Sequence, residues 1–363
     1  MQKMRVSSVV SEAMRNLVSG TTRAAVLAVV FMVAVGTVAM VDVRSMISIV
    51  QGAAQYRAAG ASVHVLKAEG SIDGRRCDAL SSTGVLTHAS AMRRSGTLQI
   101  LNMPASQITV VEATPGIASF LSVVAQPVGY DTDINGGVWL SADLAQVLGV
   151  APGRIVHTAR GKVIVVAVFT WPDDGRARDL GYTILIPVPA DGVFDQCWTE
   201  AWPSSDDLAH LAYVSLISGA QQSQVTFAQL NPSFGSDYDI AGLLAHRLTA
   251  RAPWASALIG LSLGYVAVRL RRLEIASALH ARVSKVDVIW QLLFETVMWV
   301  LAASVVISVA LLWGSRIGNP DPSWIWARSL RIVSAAALAC LIGAIMTITT
   351  TSEKHLFQYS KDR

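Results

Sequence analysis

The residues best placed for chemistry are a charged segment between two long apolar runs. It reads Arg269-Leu270-Arg271-Arg272-Leu273-Glu274-Ile275-Ala276-Ser277-Ala278-Leu279 and continues through His280-Ala281-Arg282-Val283-Ser284-Lys285. Basic, acidic and apolar side chains mixed this closely suit surface recognition better than bond making. On a helix, Leu270, Leu273, Ile275, Ala278 and Leu279 form a mixed apolar face beside Arg269, Arg271, Arg272 and Arg282, with Glu274 at the edge. The plain reading is an interfacial helix carrying positive charge on the inner side of a membrane, and the sharper one is a docking face. Further on, Glu295 is the single acidic residue inside an apolar run. An ionisable group there is a functional candidate by default, but Glu295 is about 10 Å along its helix and close enough to pair with an arginine.

The chemistry of an active site is not visible. Gly161-Lys162 is the only Gly-Lys pair, and it lacks both the earlier glycine and the following Ser or Thr of a phosphate-cradling loop. His64, His88, His157, His210 and His246 are scattered without metal-ligand spacing, so ordinary core or surface histidines are expected. No nucleophile elbow is expected either. Cys77 and Cys197 are either a disulfide or two lone thiols, since spacing alone does not bring them together, and Cys340 reads as a small packing residue.

The elements that must position these residues are set by composition. The chain has 363 residues, 52% of them hydrophobic and only 15% charged, with mean hydropathy +0.46. Soluble domains are about a quarter charged, so this chain belongs with membrane proteins. Ala24 to Val41 is eighteen residues without a charge, Ala252 to Val268 seventeen and Ile332 to Thr351 twenty, while Val288 to Trp313 is twenty-six broken only by Glu295. About 20 apolar residues cross a bilayer core, so four transmembrane α-helices are expected, the first a retained anchor.

Lys3, Arg5, Arg15 and Arg23 precede the first run, the charged segment follows the second, and Lys354, Lys361 and Arg363 follow the fourth. The stretch from Asp42 to Pro253 has 14 Lys and Arg against 18 Asp and Glu, a net −4. The positive-inside rule then puts both termini in the cytoplasm of a multi-pass plasma-membrane protein. A large α+β extracytoplasmic domain sits between the first and second helices. No basic run with interleaved aromatics supports nucleic-acid binding. Trp313, Trp324 and Trp326 read as an outer aromatic belt.

In order, residues 1–23 predict an amphipathic helix, and 24–51 the first span with a stalk that Gly52 and Gly60 weaken. Residues 52–239 form the external core domain, with strands at Val63–Leu66, Gly96–Ile100, Ile108–Val111, Val138–Leu140 and Tyr182–Pro187. A capped helix over Ser141–Leu148 ends at Gly149 and precedes a hairpin, Arg154–Thr158 with Lys162–Val168. Residues 240–268 are a second stalk and span, with Pro253 as a kink. The charged loop occupies 269–287, the last two spans 288–351 and a tail 352–363.

The run Arg271 to Ala281, with Ser284, Lys285, Val288 and Gln291-Leu292-Leu293-Phe294-Glu295, resembles the cytoplasmic loop of MacB/FtsX-type ABC transporter permeases, the type VII group. There a basic pair, Glu-Ile, an Arg- or Leu-containing turn and Gly-Ala precede a third span that often carries Glu near its start. Arg271, Arg272, Glu274, Ile275, Leu279, Ala281 and Glu295 match, and His280 stands at the family's glycine. Glu12-Ala13-Met14-Arg15-Asn16-Leu17 is similar to the family's helix before the first span. Val138 to Pro152-Gly153 followed by Lys162 to Val168 is similar to its strand–helix–hairpin core.

The resemblance implies a permease subunit working with a dimer of a separate cytoplasmic ABC ATPase, which brings ATP and Mg. This chain is then no enzyme and holds no cofactor or metal. Arg271, Arg272, Glu274, Ile275, Leu279 and Arg282 become the ATPase-coupling residues. A second permease copy or paralogue, membrane lipid and an extracytoplasmic adaptor or effector are the other partners implied. ATP binding would move stalks and external domains, by mechanotransmission, to drive efflux or extrusion of a hydrophobic or amphipathic molecule such as a peptide, antibiotic or lipid. The alternative is an FtsX-like signalling subunit that activates an external partner such as a cell-wall hydrolase and transports nothing.

Overall fold

The computed structural model describes residues 23–101, 103–129, 137–219, 225–281, 284–319 and 321–350. The expected helix before the first span, Arg282 and the tail over 352–363 lie outside these. The chain divides into a sheet unit, Gly52–Ile240, and a helical unit made of residues up to Gln51 and from Ala241 on.

Helix α1, Ala24–Ala58, is 35 residues without a break, about 52 Å at 1.5 Å per residue. It does not weaken at Gly52, because that glycine lies under Tyr238, whose hydroxyl and ring a Cβ would strike. The missing side chain is a close approach, not a breaker. The helix ends before Gly60, which has a φ of 73° that favours glycine.

In the sheet unit β1 (Val63–Asp73) leads to α2 (Gly74–Ala79), β2 (His88–Ile100), β3 (Met103–Ala113) and α3 (Ile117–Val124). Then come β4 (Val138–Ser141), α4 (Ala142–Leu148), β5 (Ile155–Thr158), β6 (Gly161–Phe169), β7 (Thr183–Pro187), β8 (Val193–Glu200), α5 (Leu208–Tyr213) and β9 (Thr226–Gln229). The sheet order is β3-β7-β4-β6-β5-β2-β8-β1-β9, and β3 also pairs with β2. That last pairing closes β2, β3, β7, β4, β6 and β5 into a six-stranded ring.

Every strand of the ring sends side chains to one core. Leu98, Ile108, Leu140, Val156, Val165 and Ile184 meet there, under Leu144 of α4. Alternate residues of the same strands, such as Val111, Trp139 and Leu185, turn the other way and pack on α3 through Phe120 and Leu121, joined by Ala167 of β6 beyond a register shift against β4. This is the period-2 rule of a strand used on both faces. The arm β8-β1-β9 covers a further core with Leu66, Ile72 and Phe194, stapled by a disulfide between Cys77 of α2 and Cys197 of β8. The helix α4 ends at Gly149 in the left-handed region, φ 65°, which Gly accepts without strain.

In the helical unit α6 (Ile240–His246), a 3-10 turn (Leu248–Arg251), α7 (Ala252–Arg269), α8 (Arg272–His280), α9 (Lys285–Arg316) and α10 (Pro322–Thr350) follow. α1, α9 and α10 are each long and apolar enough to cross a membrane by length and composition, and this is a membrane-spanning protein. The expected second span, 252–268, falls instead in a bent pair: Leu248–Arg269 and Arg272–Ala278 qualify together across a 54° bend. The second stalk is likewise broken rather than continuous. Arg247 is extended, φ −59° and ψ 143°, because its guanidinium turns to Asp42. Pro253 starts α7 and does not kink it, since the first helical turn needs no N–H from it.

α7 and α10 pack backbone to backbone. Ser256, Gly260 and Gly264 fall four apart on α7 and are buried. A Cβ at Gly260 would meet the Ala336 carbonyl, one at Gly264 the Cys340 carbonyl, and one at Gly343 that of Leu261. Ser256 adds a hydrogen bond from its Oγ to the Ile332 carbonyl at 2.9 Å. Small residues of this kind let membrane helices approach closely, where hydrophobic driving force between helices is weak. α1 lies on α9 through Phe31 and Trp299, edge to face with ring centroids 6.1 Å apart.

Candidate functional site

The charged segment folds as α8, tied to α7 by the bend at Leu270 and Arg271 and followed by α9. Ser284 caps α9 by accepting from the Asp287 N–H at 3.1 Å, so the loop stops where the span begins. Arg271 is only 13% exposed in its side chain. Its Nε donates to Glu274 Oε2 at 2.8 Å and its Nη1 to Glu295 Oε2. Glu295 is buried at 3% exposure. Of its two sequence readings, the geometry supplies the ion pair. A buried carboxylate is tolerated when a cation and further hydrogen bonds answer it.

Ile275 also turns inward. It packs with Val268, Val288, Leu292, Ala344 and Ile348, and Ala276 beside it is fully buried. The opposite side of α8 carries exposed Glu274, Ser277 and His280, with Arg272 and Leu273 half-buried between. The six residues of the expected coupling face therefore divide. Arg271 and Ile275 hold α8 to the bundle, Glu274 and Arg272 remain accessible, and Arg282 and the side chain of Leu279 lie outside the described residues. α8 can present a polar face while its back is fixed, which suits passing a push from a bound protein into α7, α9 and α10.

Two further constellations were not legible as sites. In the helical unit Asp42, 2% exposed, receives Arg247 Nε at 2.9 Å, and Arg247 Nη1 also donates to the Leu244 carbonyl. An acid directly after an uncharged run of eighteen residues was the available signal.

In the sheet unit Glu200 ends β8 between Val63 of β1 and His88 of β2, its register partners. Three side chains converge there on one carboxylate. Arg57 of α1 donates Nε to Oε1 at 2.9 Å and Nη2 to Oε2 at 3.3 Å, Ser62 donates Oγ to Oε1 at 2.7 Å, and His88 Nδ1 lies 2.6 Å from Oε2. Burial pushes the Glu200 carboxyl up, but the hydrogen bonds of His88, Arg57 and Ser62 and the Arg57 charge outweigh it and hold it at about 2.

Beside this lies Arg176, 1% exposed in its side chain. Its Nη2 donates to the Ala58 carbonyl at 2.9 Å and its Nη1 to the Val124 carbonyl at 2.8 Å, the last residues of α1 and α3. One guanidinium thus satisfies the carbonyl ends of two helices, whose dipoles favour a cation there. Burial pushes Asp174 up, and the bonds and charge of Arg176 bring it below the usual carboxylate range. Asn231 Nδ2 reaches the Ala59 carbonyl at 3.0 Å. Together these groups clamp the end of α1 into the sheet unit.

Gly260-Leu261-Ser262-Leu263-Gly264 has the spacing G-x-S-x-G, contrary to the expectation that no such element would occur. It lies inside α7, with Ser262 Oγ donating to the Leu258 carbonyl at 2.8 Å. A nucleophile elbow needs a strand–turn–helix setting, so this is helix packing and not an active site. Cys77 and Cys197 are bonded, with Cα atoms 5.9 Å apart, while Cys340 is a buried free thiol. Trp299 is buried in the bundle, Trp326 Nε1 donates to the Ser308 carbonyl at 3.0 Å, and Trp313 is exposed.

No protein-family model matches the chain, and no curated protein matches it. Among solved structures it is similar to the periplasmic region of MacB from Actinobacillus actinomycetemcomitans, at 11% identity and TM-score 0.38 over 48% of this chain and 91% of that one. It is also similar to the extracellular domain of the ABC-type transporter YknZ from Gram-positive bacteria, at 14% identity and TM-score 0.30 over 41% of this chain and 88% of that one.

Proposed function

We propose that this chain is the permease subunit of an ABC transporter, driven by a separate cytoplasmic ATPase and acting in the extrusion of a hydrophobic or amphipathic molecule. The observation that carries this reading is α8, whose back is fixed by Arg271–Glu295 and Ile275 while Glu274, Ser277 and His280 face outward. In this account the ATPase grips α8 through Arg272 and Glu274. Movement enters the bundle through the buried ion pair and the Ile275 cluster. It leaves along α1, whose far end is held by the Glu200 and Arg176 groups. ATP and Mg belong to the ATPase, and a second permease copy completes the assembly.

A photoreactive residue at Ser277, with the chain co-expressed beside its candidate ATPase, tests the docking face. The expected product is a covalent adduct with the ATPase. Adducts with lipid alone would leave α8 an interfacial helix and end the proposal.

A further inference from the structure

The helical unit holds a second recognisable feature, remote from α8. A groove of about 520 Å³ runs between α1 and α9. Its floor is Ile307 and Leu311, both almost fully buried, and its rims include Val33 and Val306, at 63% and 57% exposure. Gly36 opens it: a Cβ at that position would meet only Ile307, at 3.7 Å. The groove is therefore apolar along its length and wide where the helix lacks a side chain.

One end is different. Arg44 lines that end and is exposed. It lies twenty residues beyond Ala24, about 30 Å along the helix and so one hydrocarbon thickness away. Among the described residues Arg44 makes no ion pair. The acid nearest in sequence, Asp42, is buried and held by Arg247 at 2.9 Å. An apolar channel ending in an uncompensated guanidinium at membrane-interface depth is complementary to an acyl chain carrying an anionic head.

We propose that this groove seats one acyl chain of an anionic phospholipid, with the phosphate of the headgroup on Arg44. The guanidinium offers several N–H donors in a planar fork that suits a phosphate. The site needs no ATPase, so it stands or falls apart from the transport reading.

The test uses the full chain in nanodiscs containing phosphatidylglycerol or phosphatidylcholine with a diazirine near the end of one acyl chain. Label is expected to concentrate on Met32–Val41 and Val306–Leu311, with phosphatidylglycerol favoured about fivefold, the worth of roughly one basic residue at an anionic surface. Gly36→Leu is expected to fill the groove and abolish that labelling. Arg44→Gln, at an exposed position without an ion pair among the described residues, should keep the labelling and lose the headgroup preference. Label spread evenly around α1, or equal preference in wild type and Arg44→Gln, would overturn the proposal. So would efficient Val33→Cys cross-linking between two copies with the groove closed to lipid, since a second copy would then be the occupant.

Discussion

Replacing Glu200 by Gln removes the charge on which Arg57, Ser62 and His88 converge while keeping the shape of the side chain. The folded-state pKa lies at about 2 against an ordinary 4.5, a difference of roughly 2.5 units, or about 3 kcal/mol of favourable interaction with the ionised form. The sign is that of a depressed carboxylate. The stability it contributes is complete above the ordinary value and is lost as the pH falls toward about 2. Hydrogen–deuterium exchange of the full chain in detergent should show the segment from Arg57 to Val63 opening roughly a hundredfold more often in Glu200→Gln at neutral pH. Wild type should approach that behaviour only in strong acid. Equal protection of this segment in both proteins at neutral pH would refute the reasoning, because the network would then hold nothing that a neutral amide cannot.

Removing either Arg271 or Glu295 leaves a buried charge unanswered and should cost about 3–5 kcal/mol each, with a strongly non-additive double variant in thermal unfolding. Arg176→Met strips the cation from the carbonyl ends of α1 and α3 and should destabilise the sheet unit by several kcal/mol, roughly 1–3 for each buried carbonyl left unpaired, read by denaturant melts. Gly264→Val drives a side chain into the Cys340 carbonyl and should prevent normal α7–α10 packing, seen as lost expression or a melting temperature lowered by overpacking of about 1–3 kcal/mol. Reducing the Cys77–Cys197 bridge, which spans 120 residues, should cost about 4–5 kcal/mol by loop entropy, visible as a lower melting temperature in reductant.

The long apolar helices α1, α9 and α10 were legible because uncharged runs of twenty or so residues have few other uses. The stretch from Val138 to Val168 was legible because Gly149 and Pro152-Gly153 punctuate it. What stayed hidden depended on non-local pairing. β8 was missed because Asp195 and Gln196 interrupt its apolar residues, although its neighbours β1 and β2 make it a central strand. The closure of β3 on β2 leaves no mark in either segment. At Gly52 and Arg247 local rules pointed the wrong way. Tyr238 makes use of the glycine's missing side chain, and Asp42 draws the arginine out of helical geometry. The candidate coupling face was readable as a charged amphipathic segment. That Arg271 and Ile275 would turn inward depended on Glu295 and Leu292, one span away.

The central claim is that α8 receives the force of an ATPase. The most direct measurement is ATP hydrolysis by that ATPase co-purified with the full chain, compared with Arg272→Glu and Glu274→Arg. The account predicts that the wild-type chain retains the ATPase and alters its hydrolysis rate, and that both charge reversals abolish retention while the bundle still melts cooperatively. Unchanged retention and hydrolysis in both variants would contradict it.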